Sequence, residues 1–347
     1  MKKTTLLFFS ILFVSFTAYS QKENLSIIGV GDIMLGTNFP SKKYLPTNCR
    51  TLLNEVSDII KNADISFGNL EGCFSDNAKL AKKCKDSTKC YAFRMPVEFG
   101  SCINEAGFDI LSIANNHIMD FGQEGLNDTK KILEDFNIKY AGTLDVPYSI
   151  FVKDSVKYGF CAFSPNKGTV SIHDSQNAKK IINLLEKECD IIIASFHGGA
   201  EGKEHQNITR KTETYYGENR GNVYEFSHML IDAGADIVFG HGPHVSRAIE
   251  LYKNRLIAYS LGNFCTYRRF NLRGVNGFAP IIKIQVNRNG EFQTGEIIPI
   301  KQIGSGIPIK DSENNAIKKI QELTKKDFPL SGLQINNDGS INKINGK

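Results

Sequence analysis

Short apolar runs, each broken abruptly by a polar cluster, recur along the chain. Leu25–Val30 (LSIIGV) runs into Gly31-Asp32, and Asp64–Phe67 (DISF) into Gly68-Asn69-Leu70-Glu71-Gly72. Asp109–Ala114 ends in Asn115-Asn116-His117, and Asp190–Phe196 in His197-Gly198-Gly199. Ala235–Phe239 ends in Gly240-His241-Gly242-Pro243-His244. Runs this short and this rich in Val and Ile read as strands buried on both faces. Between them, Leu52–Asn62, Gly122–Phe136, Ala178–Lys187 and Asn222–Ala233 read as helices; in the last, Val223, Phe226, Leu230 and Ile231 recur at helical spacing and Gly234 supplies a stop. Strands alternating with helices predict an α/β fold, in which ligands gather beyond the carboxyl ends of the strands. All five polar clusters fall at such ends. After about Ile300 the chain turns polar, with a terminal helix predicted over Asn314–Lys326 and a Gly/Asn-rich tail behind it.

Those clusters place Asp32, Glu71, Asn116, His117, His197, His241 and His244 at strand ends. Carboxylate oxygens, an amide oxygen and imidazole nitrogens suit a divalent Mn, Zn or Fe ion. One or two ions are expected, since a bridging carboxylate holds a pair about 3.5–4 Å apart. Each residue alone has a plainer role: Asp32 as a turn cap, Glu71 as a loop acid, His117 as a core histidine. Five such endings in one fold favour the metal. Glu201, in HGGAE, either lines the same pocket or sits in a loop. Lys79, Lys82, Lys83, Lys85 and Lys89 precede Tyr91-Ala92-Phe93-Arg94, and Arg268, Arg269 and Arg273 form a second basic group. The lysine group reads as a solvated loop by default and as a grip for a polyanion otherwise. No Gly-x-Ser-x-Gly, P-loop or dinucleotide fingerprint occurs.

At 347 residues with 41% hydrophobic and 23% charged positions, the chain has the composition of a globular protein, not of a disordered chain, coiled coil or fibre. Lys2 and Lys3 precede an apolar run, Leu6–Ala18, and Ala18-Tyr19-Ser20 has the small-x-small form cut by signal peptidases. The run falls short of the roughly 20 residues that span a bilayer. Residues 1–20 are therefore expected to be a signal peptide, the mature chain beginning at Gln21 and lying in the periplasm or outside the cell. Loss of Lys2 and Lys3 from the 42 basic residues leaves 40 against 37 acids, too balanced to argue for nucleic acid. Export also bears on the eight cysteines. Cys84 and Cys90 are spaced for a local disulfide; Cys49, Cys73 and Cys102 allow several pairings; Cys161, Cys189 and Cys265, beside apolar runs, read as buried free thiols.

The ordered blocks GDIMLG, GNLEG, ANNHIMDFGQEG, SFHGGAEG, DAGADIVFGHGPHV and YSLGNF resemble the bacterial capsule-synthesis CapA family, associated with poly-γ-glutamate, from about Leu25 to Ile300. That family is similar to calcineurin-like metallophosphoesterases. The resemblance implies a four-layer α/β/β/α sandwich with a two-metal site over residues 21–305, and a C-terminal helix and tail (306–347) packed on it. It implies Asp32, Glu71, Asn116, His197, His241 and His244 as metal ligands, His117 as general acid and Asp120 as the group orienting its imidazole. Met34 stands where the broader pattern has a histidine, and Glu71 where it has an aspartate. Arg94, Glu201 and Asn263 are the expected substrate-binding residues. The implied partners are an anionic envelope polymer or its precursor, with membrane proteins of a capsule machine, and no nucleic acid.

The leading expectation is an exported metal-dependent hydrolase in which a metal-bound hydroxide attacks a phosphoester or a γ-glutamyl amide. The alternative is a non-catalytic polymer-binding or export component with a degenerate metal site, which Met34 favours. A secreted phosphatase of the nucleotidase kind is a third and weaker reading.

Overall fold

The structure, a computed structural model, describes residues 22–83 and 91–344. Among the described residues, nine strands form one sheet and six a second. At the centre of the larger sheet lies Asn24–Met34, buried along nearly its whole length. Parallel to it run Ile65–Leu70, then Ile110–Ser112, then Lys139–Ala141. Antiparallel strands Ile281–Asn287 and Phe292–Ile298 extend the other side. The smaller sheet has Ile191–His197 and Ile237–His241 side by side and parallel at its middle.

Period-two alternation along these strands makes three apolar layers. Ile27 and Phe67 of the larger sheet face Ile193, Ile237 and Phe239 of the smaller one across a shared core. Within it the rings of Phe67 and Phe239 stack at 5.1 Å. Ile28, Val30 and Ile33 point the other way, onto helices Asn54–Lys61, Phe99–Ala106 and Gly122–Asp135. On the far side Ile192, Ala194 and Val238 meet helices Ser175–Glu186 and Val223–Asp232. The result is a four-layer α/β/β/α sandwich, the architecture the resemblance implies.

The five polar-ended runs are the central parallel strands of the two sheets. Helix Phe99–Ala106 has no signature in the sequence: it is only eight residues long, lacks a side-chain N-cap and contains Gly100. Helix Asn315–Asp327 follows the polar stretch, sending Ile317 and Ile320 into the inter-sheet core and Leu323 into the outer layer. The tail beyond it forms two further strands, Leu333–Ile335 and Ser340–Lys343, at the edge of the larger sheet. Cys49 and Cys102 form a disulfide that ties the chain before the first helix to the second. Among the described residues Cys73, Cys161, Cys189 and Cys265 are free; Cys161 and Cys265 are buried as expected, but Cys189 is only half-buried. The expected signal peptide and the expected Cys84–Cys90 pairing fall outside the described residues. No helix of the described residues is long and apolar enough to cross a membrane.

Candidate functional site

Both sheets direct the carboxyl ends of their central parallel strands to one seam, and the site is built there from both. The larger sheet contributes three adjacent strands in register, with Asp32 flanked by Asn69 on one side and Asn263 on the other. Gly31 makes this possible: a Cβ there would lie 2.0 Å from the Gly262 carbonyl oxygen, which instead accepts the Asp32 amide N–H at 2.9 Å. In the smaller sheet His197 and His241 stand opposite each other on neighbouring strands. Gly242, at φ +109°, then turns the chain against Gly198, where a Cβ would come within 2.9 Å of the backbone. His244 follows in the left-handed region at φ 55°.

Across the seam the two halves meet through charge. His241 Nδ1 lies 3.2 Å from Asp32 Oδ1, and His244 Nδ1 2.8 Å from Asp32 Oδ2. His197 Nε2 approaches Glu71 Oε1 at 3.5 Å. Asp32 and Glu71 are fully buried. Asn69 joins them: its Nδ2 donates to Asp32 Oδ1 at 2.8 Å and to Glu71 Oε2 at 2.5 Å. Its Oδ1 accepts from Asn115 Nδ2, and Asn115 Oδ1 in turn caps the amides of His117 and Ile118.

Burial alone would push the Asp32 carboxyl up, but hydrogen bonds and charge from His241 and His244 hold it well below the usual carboxylate range. Glu71 is treated alike: burial and the charge of Asp32 oppose ionisation, and the neighbouring His197 and His117 outweigh them. Burial disfavours charge on His244 too, yet Asp32 raises it to about 9. Asp32, itself fully buried, is thus partnered from the opposite sheet by His244.

His117 occupies one wall. Its Nδ1 lies 2.6 Å from Asp120 Oδ2, whose other oxygen is 2.9 Å from Lys82 Nζ. With that nitrogen engaged, Nε2 is the face turned inward, 3.9 Å from Glu71 Oε1. Phe93 packs on the imidazole at 4.2 Å between centroids.

Six buried polar atoms in this cluster have no hydrogen-bond partner: Glu71 Oε1, Asn116 Oδ1, His197 Nδ1 and Nε2, His241 Nε2 and Asn263 Oδ1. Orphaned buried polar groups are costly, about 1–3 kcal/mol each. Oxygen and imidazole donors left this way fit a divalent cation by type. Among the described residues, however, no three His, Cys, Asp or Glu side chains already converge as a ligand set. The imidazoles of His241 and His244 are turned onto Asp32 instead.

Three expected substrate contacts fall differently. Asn263 sits beside Asp32, its Nδ2 held by the His244 and Asn276 carbonyls. Glu201 pairs with Arg220 at 2.9 Å. Arg94 is engaged within loops, donating to Asn38 Oδ1 and the Ala78 carbonyl with its face over Phe121. Met34 is fully buried, its sulfur accepting the Gly36 amide. Asn69 and Asn115 lie within the GNLEG and ANNH blocks, but an amide bridging two carboxylates has no spacing signature in the sequence. The buried Arg247–Glu213 pair, which anchors the Ala200 amide and carbonyl beside His197, was likewise invisible.

Residues 26–268, which contain every one of these site residues, match the profile of the family described as bacterial capsule synthesis protein PGA_cap. The capsule biosynthesis protein CapA of Bacillus anthracis is 27% identical over 268 residues, covering 71% of this chain and 61% of that protein, under two thirds of its length. The PGA biosynthesis protein CapA of Bacillus subtilis (strain 168) is 27% identical over 321 residues, covering 87% and 78%. Among solved structures, the calcineurin-like phosphoesterase YfkN from Bacillus subtilis superposes with a TM-score of 0.45 at 11% identity, covering 89% of this chain and 98% of that one.

Proposed function

The chain belongs to the bacterial capsule synthesis family PGA_cap, and from that premise we propose that it is an exported, divalent-metal-dependent hydrolase acting on an anionic envelope polymer of the poly-γ-glutamate kind. The observation that carries this reading is the meeting of Asp32 and Glu71 from one sheet with His197, His241 and His244 from the other, amid buried polar atoms without hydrogen-bond partners. Asp32, Glu71, Asn116, His197, His241 and His244 would hold one or two Mn, Zn or Fe ions. A bound cation supplies Lewis acidity toward a phosphoryl or carbonyl oxygen.

The chain's own residues set the remaining requirements. Asp120 fixes the His117 ring through Nδ1, which points Nε2 inward to hand a proton to the departing oxygen or nitrogen as water adds across the bond. Asn69 spaces the two carboxylates, and Asn115 couples it to the loop that carries Asn116 and His117. Phe93 keeps water from the outer face of the imidazole.

The alternative, a polymer-binding or export component without turnover, is favoured by the thioether of Met34, engaged by a backbone amide, and by imidazoles already committed to Asp32. Elemental analysis of the purified mature protein beside an Asp32→Ala/His241→Ala double variant separates the two. One or two transition-metal ions per wild-type chain, lost in a variant that still folds, is the expected result. A wild-type protein that takes up no Mn²⁺ or Zn²⁺ on soaking would leave the binding component as the reading. Export is tested separately by N-terminal sequencing of the secreted protein, which should begin at Gln21.

A further inference from the structure

The basic groups that lie far apart in the sequence become one surface. Arg269 lies over the rings of both Tyr44 and Tyr91, 4.8 Å from each. The preceding Arg268 donates to the Lys43 carbonyl, and its own amide donates to the Ser305 carbonyl. Lys82 closes the chain of contacts by donating to the Tyr91 carbonyl at 2.8 Å while its ammonium faces Asp120. Three lobes, around residues 41–45, 79–83 and 267–273, are thereby locked side by side.

This lip borders the site directly. Phe270, next to Arg269, stacks on Phe93 at 5.1 Å and meets the edge of His244 at 5.4 Å, while Phe93 packs on His117. Arg268 and Arg269 hold successive left-handed backbones, φ 58° and 65°. Left-handed backbone is uncommon in residues other than glycine.

Charge on the lip is one-sided. Segments 36–45, 77–83, 91–95 and 267–273 contain no Asp or Glu. Eight of the chain's 42 basic residues lie in the three lobes, so the other 34 are outnumbered by the 37 acids elsewhere. Among the described residues Lys42, Lys79, Lys83 and Arg273 are exposed and enter no salt bridge. Like charges gathered on one surface repel one another, an arrangement that a multivalent anion relieves.

We propose that this lip is a docking track for a linear polyanion, reading an extended chain of carboxylates or phosphates and leading it past Phe270 into the strand-end site. The inference rests on the polymer reading above but names where and how the chain is held. A track of separated cations binds through several contacts at once, so affinity rises with polymer length and falls with salt.

The test is fluorescence anisotropy of labelled poly-γ-glutamate, short and long, with the full mature chain in EDTA. A Lys42→Glu/Lys79→Glu/Arg273→Glu variant is compared with Lys187→Glu/Lys318→Glu/Lys325→Glu, which changes net charge equally on other exposed positions. Circular dichroism checks that both fold. Expected is about ten-fold weaker binding of the long polymer for the lip variant, with the control near wild type. Equal losses in both variants, or none in the lip variant, would overturn the track. Polyphosphate binding with the same lip dependence would support it and mark the ligand's charge, not its carboxylate, as what is read. Binding only to phosphatidylglycerol vesicles, with neither polymer retained, would overturn it in favour of a membrane surface. Because no ion is present and Asp32→Ala is measured in parallel, a site that fails to load metal leaves this result standing.

Discussion

His244 and Asp32 are 212 positions apart, yet Nδ1 of one lies 2.8 Å from Oδ2 of the other where the ends of two different sheets meet. An Asp carboxylate with no exposure needs a charged or hydrogen-bonding partner, and this one has two imidazoles and an amide. The seam is thus held by electrostatics at its polar end and by stacked rings such as Phe67 and Phe239 behind it.

Asn69 is the residue that lets two buried carboxylates stand side by side. Asn69→Ala leaves Asp32 and Glu71 facing each other without the bridging N–H groups, an expected loss of about 2–3 kcal/mol at neutral pH. Urea unfolding of the ion-free protein measures it, and a change under about 0.5 kcal/mol would remove Asn69 from that role.

Gly242→Ala puts a methyl against the Gly198 backbone at a φ that L residues avoid. The turn then shifts His244 away from Asp32. We expect a fall of about 2 kcal/mol in stability and loss of divalent-ion stabilisation on thermal melting. An unchanged melting point, with the ion effect intact, would show that the turn tolerates the methyl.

The Cys49–Cys102 disulfide closes a sequence separation of 53 residues. Replacing both cysteines by Ala should destabilise the protein by about 2–4 kcal/mol. Peptide mapping of the unreduced protein should recover the 49–102 cross-link, and recovery of both as free thiols would contradict the pairing.

Asp311 caps the C-terminal helix, accepting from the Asn315 amide at 2.9 Å and the Glu313 amide at 3.2 Å, with Lys301 3.1 Å away. Burial pushes its carboxyl up, but these amides and Lys301 outweigh burial and hold it below the usual value. A depressed folded-state value contributes stability above the unfolded value near 4, and that contribution is lost as pH falls through the folded one. Wild type should therefore exceed Asp311→Asn by roughly 1 kcal/mol at pH 7, the gap shrinking below about pH 4. Chemical denaturation across that range checks it; a gap independent of pH would assign the difference to packing.

The helices were unevenly legible. Val223–Asp232 shows in the sequence because its apolar stripe recurs at helical spacing and Asn222 caps it. Phe99–Ala106 does not, since two turns give little room for a period and Gly100 survives only because Ile132 packs where its Cβ would be. The edge strands Leu333–Ile335 and Ser340–Lys343 are half polar, and pairing rather than composition makes them strands.

By itself the amino-acid sequence determined which segments become central strands and that each ends in groups able to hold a cation or a proton. Burial on both faces compels continuous apolar runs, and the chain must leave such a strand through residues that tolerate sharp turns. Only the tertiary structure decided which of those ends face one another. Sheet order and the stacking of two sheets bring Asp32 to His241 across 209 positions and three basic segments onto one lip, and no local periodicity records either distance. The bridging of Asp32 and Glu71 by Asn69 belongs with these, because a buried amide acquires its role from the charges that packing places around it.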